Sequence, residues 1–199
     1  MPIDKDGNVV PDFGDKPATV VSEGGEVTTQ VVGPRKMCFI LSKGNLDMAY
    51  PALILGSAAL SDGIECDFFF TFWGLDIIDQ RTMHDLKFTY AGNTAMHMPQ
   101  LERWKGGMGT MAFPQLLAQM PGMTGFSTKM MKKMMADIDI PSVPEMLEHI
   151  SAMGGNMYAC QLSADMMEVK LPMLYPGVKG IISAGDFIEM SAGAQIIFV

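Results

Sequence analysis

The sequence has few cysteines, and no two of them form a CxxC pair. Its 199 residues contain three cysteines, at positions 38, 66 and 160. Three unevenly spaced cysteines do not provide a disulfide framework, and the spacing typical of zinc sites or dithiol redox centres is absent. We therefore expect free thiols, a reducing cytoplasmic location and no bound metal.

Basic residues are also scarce. The chain carries 14 Lys and Arg against 22 Asp and Glu, a formal net charge of -8. A protein that binds nucleic acid without sequence preference needs a basic surface, so nucleic acid is not an expected partner. Residues 1–15 are polar and contain four aspartates, unlike the cationic and apolar regions of a signal peptide, so no export is expected.

Several motifs of common cofactor folds are missing. The sequence has no GxGxxG segment after a strand, no Walker loop and no GxSxG elbow, and the turn Ser42–Asp47 lacks the Ser and Thr density that would hold FMN. The three histidines show no metal-ligand spacing. Pairs such as Met108 and Met111 have the MxxM spacing that suits Cu(I), but methionine is enriched along so much of the chain that packing is the preferred interpretation. We expect no cofactor.

The hydrophobic pattern predicts alternating strands and helices. Apolar runs that read as buried strands are followed by segments with apolar residues at helical spacing, which is typical of βαβ units and a parallel sheet. The predicted strands are Met37–Leu41, Ile64–Phe72, the run ending at Cys160, Val178–Ile182 and Gln195–Val199. The fold class is therefore α/β: a flavodoxin-like three-layer fold with a five-stranded, mainly parallel sheet of probable order 2-1-3-4-5.

Two segments fall outside this pattern. Residues 1–35 form an N-terminal arm in which two β-prone runs flank Gly24 and Gly25, so the arm is interpreted either as a hairpin or as a disordered tail. Residues 36–199 form the α/β domain, with a Met-rich insertion at about 83–135.

The insertion contains 11 of the 21 methionines and has no charged residue from Gly106 to Thr128. Its prolines, glutamines and glycines disfavour a membrane-spanning helix, and a lid or an oligomer contact is the preferred interpretation. Phe126, Met130 and Met134 share one face of a short helix beside Lys129, Lys132 and Lys133. This stripe either packs on the domain or contacts a membrane surface.

Cys160 is the best candidate for chemistry. It follows a short apolar run bounded by Gly154 and Gly155, and the polar residues after it read as the first turn of a helix. A thiol at such a corner faces the free N–H groups and the positive end of the helix dipole, which favour the thiolate. The alternative is a packing role, because free cysteine is among the most commonly buried residues. Cys38 and Cys66 lie within apolar strands, where a structural role is expected.

The predicted strand order places further residues near Cys160. In a 2-1-3-4-5 sheet the third strand lies beside the first, so the Cys160 corner would face the turn Ser42, Lys43, Gly44, Asn45. Lys43 would lower the thiol pKa or remain a solvated lysine, while Gly44 and Asn45 would present N–H groups to an anion. Gln161 and Ser163 at the helix start would also stabilise the anion, and Trp73 and Gly74 would line the site.

Several segments resemble the DsrE/DsrF-like family of sulfur-relay proteins, in particular its larger DsrE-like branch with a Met- and Gly-rich central insertion. The segments that carry the resemblance are KMCFILSKGNLD from Lys36, FFFTFWGL from Phe68, ACQLS from Ala159 and VKGI from Val178. The resemblance covers about residues 36–199 and leaves the arm outside.

The resemblance implies that Cys160 carries a persulfide. It also implies that sulfane sulfur comes from a rhodanese-like donor or a small TusA-like carrier, that the protein passes it on, and that it assembles as a trimer or hexamer. A second, resolving cysteine close to Cys160 is absent, which disfavours release through an intramolecular disulfide. The predicted function is that of a sulfur carrier or sulfurtransferase. The alternative is a noncatalytic oligomeric scaffold or membrane-surface protein in which Cys160 is structural.

Overall fold

A computed structural model describes residues 19–21, 27–29, 35–93, 97, 106–107, 110–112 and 114–199. The chain divides into two compact units, Met1–Arg35 and Lys36–Val199. In the first unit, β1 (Thr19–Val21) and β2 (Val27–Thr29) pair antiparallel, with Val20 opposite Thr28.

The second unit is built on a five-stranded sheet in which every strand pair is parallel. Its strands are β3 (Lys36–Leu41), β4 (Glu65–Phe70), β5 (Asn156–Cys160), β6 (Val178–Ile182) and β7 (Gln195–Phe198). Their order across the sheet is β6-β5-β4-β3-β7. The predicted α/β class with a five-stranded parallel sheet is confirmed.

The predicted strand order is wrong. Counted along the second unit, the observed order is 4-3-2-1-5 rather than 2-1-3-4-5. Consecutive strands pair as neighbours from β3 to β6, which is the usual outcome for sequential elements, and only β7 returns to the other side of β3. The Cys160 strand therefore lies beside β4, and β4 separates it from β3.

The helices lie on both faces of the sheet. They are α1 (Leu46–Ser61), α2 (Met123–Ala136), α3 (Val143–Ala152), α4 (Gln161–Met166) and α5 (Ala184–Met190). Helices α1 and α3 contact each other and cover the main core, which includes Phe39, Phe68 and Leu53. A capping box of Ser142 and Glu145 starts α3, because each side chain satisfies donors that the helix leaves free.

The opposite face carries a smaller cluster under α5. Phe187 of α5 stacks on Phe69 of β4, with 4.4 Å between the ring centroids, and Cys38 and Cys160 complete the buried group. The strand register places Ile196 and Phe198 of β7 on this same face, where they are largely exposed. The described residues of the single chain therefore cover only part of this face.

Within the insertion, a 3-10 helix spans Gln115–Gln119 and is followed by α2. The Thr128 hydroxyl accepts the Phe88 N–H at 2.9 Å, and Thr128 is buried. Met131 and Met135 pack against the core, while Phe126 is 59% exposed. Of the two interpretations of the stripe, packing on the domain is therefore wrong for Phe126.

None of the helices in the described part of the chain combines the length and hydrophobicity needed to cross a lipid bilayer.

Candidate functional site

Cys160 lies at the junction of β5 and α4. It is the last residue of the strand and the N-cap of the helix, with φ -70° and ψ 123°. Gly154, with φ +87°, follows α3 in the left-handed conformation that glycine adopts at low cost, and the chain then enters β5. The predicted strand-to-helix corner is present, and the cysteine is only 6% exposed.

The surroundings of Cys160 favour its thiolate. Burial is the largest single influence and raises the pKa, but the N–H and hydroxyl of Ser163, the hydroxyl of Thr71 and the N–H of Leu162 together outweigh it. The net pKa of Cys160 is therefore lowered. Within the described part of the chain, the Cys160 side chain forms no capping hydrogen bond at the start of α4.

A pair of hydroxyl groups lies next to the sulfur. Ala159 pairs with Phe70 of β4, so the next residue of that strand, Thr71, lies alongside Cys160. The Thr71 Oγ1 and Ser163 Oγ atoms are 3.1 Å apart, and the Phe72 N–H donates to Ser163 Oγ at 2.9 Å. Ser163 is buried and Thr71 is half-buried. The two hydroxyls thus form one connected group at the carboxyl ends of β4 and β5.

The pKa values of the other two cysteines shift in the opposite direction. Burial and the charge of Asp67 raise the pKa of Cys38 to about 11 and that of Cys66 to about 11. Cys66 Sγ donates to the Ile64 carbonyl at 3.5 Å, as a neutral thiol does. Cys38 and Cys66 are at most 1% exposed, so they lack both the ionisation and the access that reactive thiols need.

Ser42 and Lys43 do not have the positions that the predicted strand order gave them. The N–H and the hydroxyl of Ser42 both donate to the Val199 backbone oxygen, at 2.9 and 3.0 Å. Lys43 is exposed on a turn that follows β3, and β4 lies between β3 and the Cys160 strand. The argument that placed Lys43 beside the thiol is therefore wrong, because it depended on adjacent first and third strands.

Gly44, Asn45 and Trp73 meet in a separate cleft of about 370 Å³. Cys160 does not line it. The other lining residues are Asp76, Arg81, Thr82, Asp85, Leu86 and Lys87. Gly74 lies against β3, where a Cβ would be only 2.1 Å from the Leu41 carbonyl oxygen. This glycine therefore allows the 3-10 helix Phe72–Ile77 to pack directly on the end of β3.

Of the remaining predicted residues, Ser163 is next to Cys160 and Gln161 is exposed at the start of α4. Thr71, Phe72 and Leu162 were not among the predicted site residues. Thr71 is the first polar residue after the apolar run of β4, a signal that gains meaning only once β4 and β5 are known to be neighbours. Across the described ranges, no group of three or more His, Cys, Asp or Glu side chains is arranged to bind a metal ion.

Comparison with known proteins gives consistent matches over most of the chain. The sulfur carrier protein DsrE2 of Allochromatium vinosum is 34% identical over 163 residues, which are 81% of this chain and 96% of that protein. The uncharacterized protein YrkE of Bacillus subtilis is 22% identical over 165 residues, 83% of this chain and 97% of that protein.

Among solved structures, the ychN protein from Escherichia coli matches with a TM-score of 0.47 and 12% identity. The protein of unknown function MTH1491 from Methanobacterium thermoautotrophicum matches with a TM-score of 0.48 and 8% identity. Each match covers 83% of this chain and 99% of the other. The model of the DsrE/DsrF/DrsH-like family matches residues 34–198, and the chain belongs to this family.

Proposed function

We propose that this protein is a sulfur carrier that holds sulfane sulfur as a persulfide on Cys160 and passes it to a partner protein. The observation that carries the proposal is the difference between the three cysteines. All three are free, yet only at Cys160 do the surrounding donors lower the thiol pKa. The name of the relative DsrE2 supports a carrier role in this family.

Loading requires the Cys160 thiolate to attack an activated sulfur. With thiosulfate as the donor, Sγ bonds to the outer sulfur, the S–S bond of thiosulfate breaks, and sulfite leaves with the electron pair. The N–H groups of Leu162 and Ser163 and the nearby hydroxyls lower the pKa of Cys160 and so favour the ionised Sγ before the attack. The thiolate form is the nucleophile in such exchange reactions, so these donors are the reason that Cys160 is the loading site.

The surface around Cys160 suits contact with a protein partner. Phe72, Leu162 and Met166 are more than half exposed, which is unusual for large apolar side chains grouped on short neighbouring elements. We propose that a rhodanese-like donor and a small TusA-like acceptor dock here in turn, in the reducing cytoplasm where thiols remain free.

We also propose that the protein is a homo-oligomer, a trimer or a hexamer. Parallel sheets are normally covered on both faces, but Ile188 and Phe198 on the α5 face are 69% and 67% exposed. The register places Phe198 on the sheet face that holds Cys160, so a subunit contact there would lie close to the site.

The test is intact-mass spectrometry after exposure to thiosulfate or polysulfide. We expect an adduct of about 32 Da on the wild type, on Cys38→Ala and on Cys66→Ala, and none on Cys160→Ser, because only an accessible thiolate loads. Full loading of Cys160→Ser would exclude Cys160 as the carrier. Native mass spectra of the same samples give the subunit number.

The alternative is a scaffold at a membrane surface, and the exposure of Phe126 on the same face as Lys129 and Lys133 favours it. It predicts liposome binding that is lost when these lysines are changed to glutamine and is unaffected by Cys160→Ser. Sulfur loading on Cys160 without liposome binding would exclude this alternative.

A further inference from the structure

Thr71 holds a fixed position between two strands. Its N–H donates to the Leu41 carbonyl of β3 at 2.9 Å, and its hydroxyl is 3.1 Å from Ser163 Oγ beyond β5. The backbone contact ties the residue to one neighbour of β4 and the hydroxyl contact ties it to the other. Its side chain therefore faces the Cys160 corner without rotating freely.

The next residue, Phe72, has φ +47°, a left-handed conformation that is costly for a bulky residue. Phe72 is the first residue of the 3-10 helix Phe72–Ile77. The Phe72 N–H donates to Ser163 Oγ at 2.9 Å. Gly74 allows this 3-10 helix to pack directly on β3. This packing supports the strained backbone at Phe72. Strained backbone that is supported in this way is found mainly at functional sites.

The hydrogen bond between Thr71 and Ser163 uses only one of their two hydroxyl hydrogens. The Thr71 and Ser163 hydroxyls carry two hydrogens, and one of them lies in the bond between the two oxygens. The Phe72 N–H donates to Ser163 Oγ, so this bond uses an acceptor position of the oxygen and neither of the two hydroxyl hydrogens. Whichever hydroxyl is the donor in the pair, one hydrogen remains outside that bond, and the register of β4 and β5 places Thr71 beside Cys160.

We propose that Thr71, acting with Ser163, makes the Cys160 sulfur a good leaving group, so that the protein readily gives its sulfane sulfur to acceptor thiols of ordinary basicity. This inference rests on the proposed carrier function. It adds that the site favours release of sulfane sulfur from Cys160 to an acceptor thiol.

The transfer step is balanced without an external oxidant or reductant. The acceptor thiolate attacks the outer sulfur of the Cys160 persulfide and forms a new S–S bond. The bond from Cys160 Sγ to that outer sulfur breaks, its electron pair stays on Sγ, and the proton of the persulfide moves with the transferred sulfur. Negative charge thus appears on Sγ, where the Thr71 and Ser163 donors are placed to stabilise it.

The same stabilisation restricts the reaction that supplies the sulfur. A thiolate of lowered basicity is a weaker nucleophile, although more of it is ionised at neutral pH. The donor must therefore carry a leaving group better than an ordinary thiolate. Thiosulfate, which releases sulfite, and persulfides on another stabilised cysteine have this property. The protein then belongs between an activated sulfane donor and a more basic acceptor thiol.

The experiment compares unloading of the persulfide in wild type, Thr71→Val and Thr71→Ser. Each protein is loaded with thiosulfate or polysulfide, the loaded fraction is measured by intact mass, and excess cyanide then removes the outer sulfur as thiocyanate. We expect Thr71→Val to slow thiocyanate release by about threefold for each unit by which the thiol pKa rises. Thr71→Ser, which restores a hydroxyl, should recover the wild-type rate.

A second readout separates this effect from general disturbance of the fold. Ultraviolet absorbance of the thiolate, followed against pH, should show a higher midpoint in Thr71→Val and a recovered one in Thr71→Ser. Thr89→Val is the matched control, because it removes a buried threonine hydroxyl that has no hydrogen-bond partner among the described residues. It should leave both the rate and the midpoint unchanged.

The outcomes distinguish the inference from the function on which it rests. Equal release rates and equal midpoints for wild type and Thr71→Val, at matched loading on Cys160, would overturn the inference and leave the carrier function standing. A wild-type protein that acquires no sulfur on Cys160 would overturn the carrier function and this inference together.

Discussion

Cys38 and Cys160 lie on the same face of one sheet, at opposite ends, and their pKa values shift in opposite directions. Both are buried, so burial alone does not determine their reactivity. At the amino end, the neighbour of Cys38 is the Asp67 carboxylate, and Cys38 Sγ donates to it at 3.9 Å. At the carboxyl end, the neighbours of Cys160 are hydrogen-bond donors. The comparison shows that the type of polar group beside a buried thiol sets the direction in which its pKa shifts.

The amino end is built around the buried Asp67. Lys36 of β3 lies 2.8 Å from its carboxylate, and Asn156 of β5 donates to it at 2.6 Å. Lys179 of β6 contacts Asn156 in turn. This polar row joins four strands, and it is satisfied throughout, as a buried charge requires. It acts on register and stability, whereas the donors around Cys160 act on chemistry.

The largest expected effect comes from breaking this row. Lys36→Met leaves the carboxylate of Asp67 buried without its cation, and we expect a loss of about 3 kcal/mol in the free energy of unfolding. Urea denaturation measures it. Lys87→Met is the matched control, because Lys87 pairs with Asp85 at the surface and its loss should cost less than about 1 kcal/mol. Equal losses for both variants would contradict a structural role for the row.

A smaller effect is expected at the carboxyl end. Gly74→Ala would place a methyl group 2.1 Å from the Leu41 carbonyl oxygen, a backbone atom that cannot easily move. We expect a loss of about 2 kcal/mol, together with slower sulfur loading, because the strained turn at Phe72 depends on this contact.

Gly125→Ala provides the control for Gly74→Ala. Gly125 lies inside α2, and a Cβ there would meet no atom within 4 Å. Alanine should stabilise this helix by about 0.5 to 1 kcal/mol. Urea denaturation and intact-mass loading curves compare the two variants. Normal loading by Gly74→Ala would show that the site does not depend on the turn.

The elements around the site could be predicted from the sequence, but their arrangement could not. The apolar runs ending at Leu41 and Cys160 are local signals, and both strands end there. The pairing of β4 with β5 is a nonlocal contact across the Met-rich insertion, and only the general preference of consecutive strands to pair favours it. This is why Ser163 was predicted near the sulfur and Thr71 was missed, while Lys43 was assigned to a corner it does not face.

The last expected effect is on the pH dependence of stability, and its sign differs between the two kinds of thiol. For Cys66, whose pKa in the folded protein is about 11 against an ordinary value of 9.0, the unfolded chain loses its proton first. Its contribution to stability is complete below pH 9 and is lost as the pH rises toward 11. For Cys160, whose pKa is lowered, the folded chain ionises first, so its contribution grows as the pH rises toward 9.

Single alanine variants separate these contributions from those of the other titratable groups, which are present in every variant. The stability difference between wild type and Cys66→Ala should shrink by about 1 to 2 kcal/mol between pH 9 and pH 10.5. The difference between wild type and Cys160→Ala should instead increase from pH 6 to pH 9. Urea denaturation across this range measures both slopes. Slopes of the same sign would mean that the donors around Cys160 fail to outweigh its burial. The two ends of the sheet would then not differ in thiol pKa as the carrier chemistry requires.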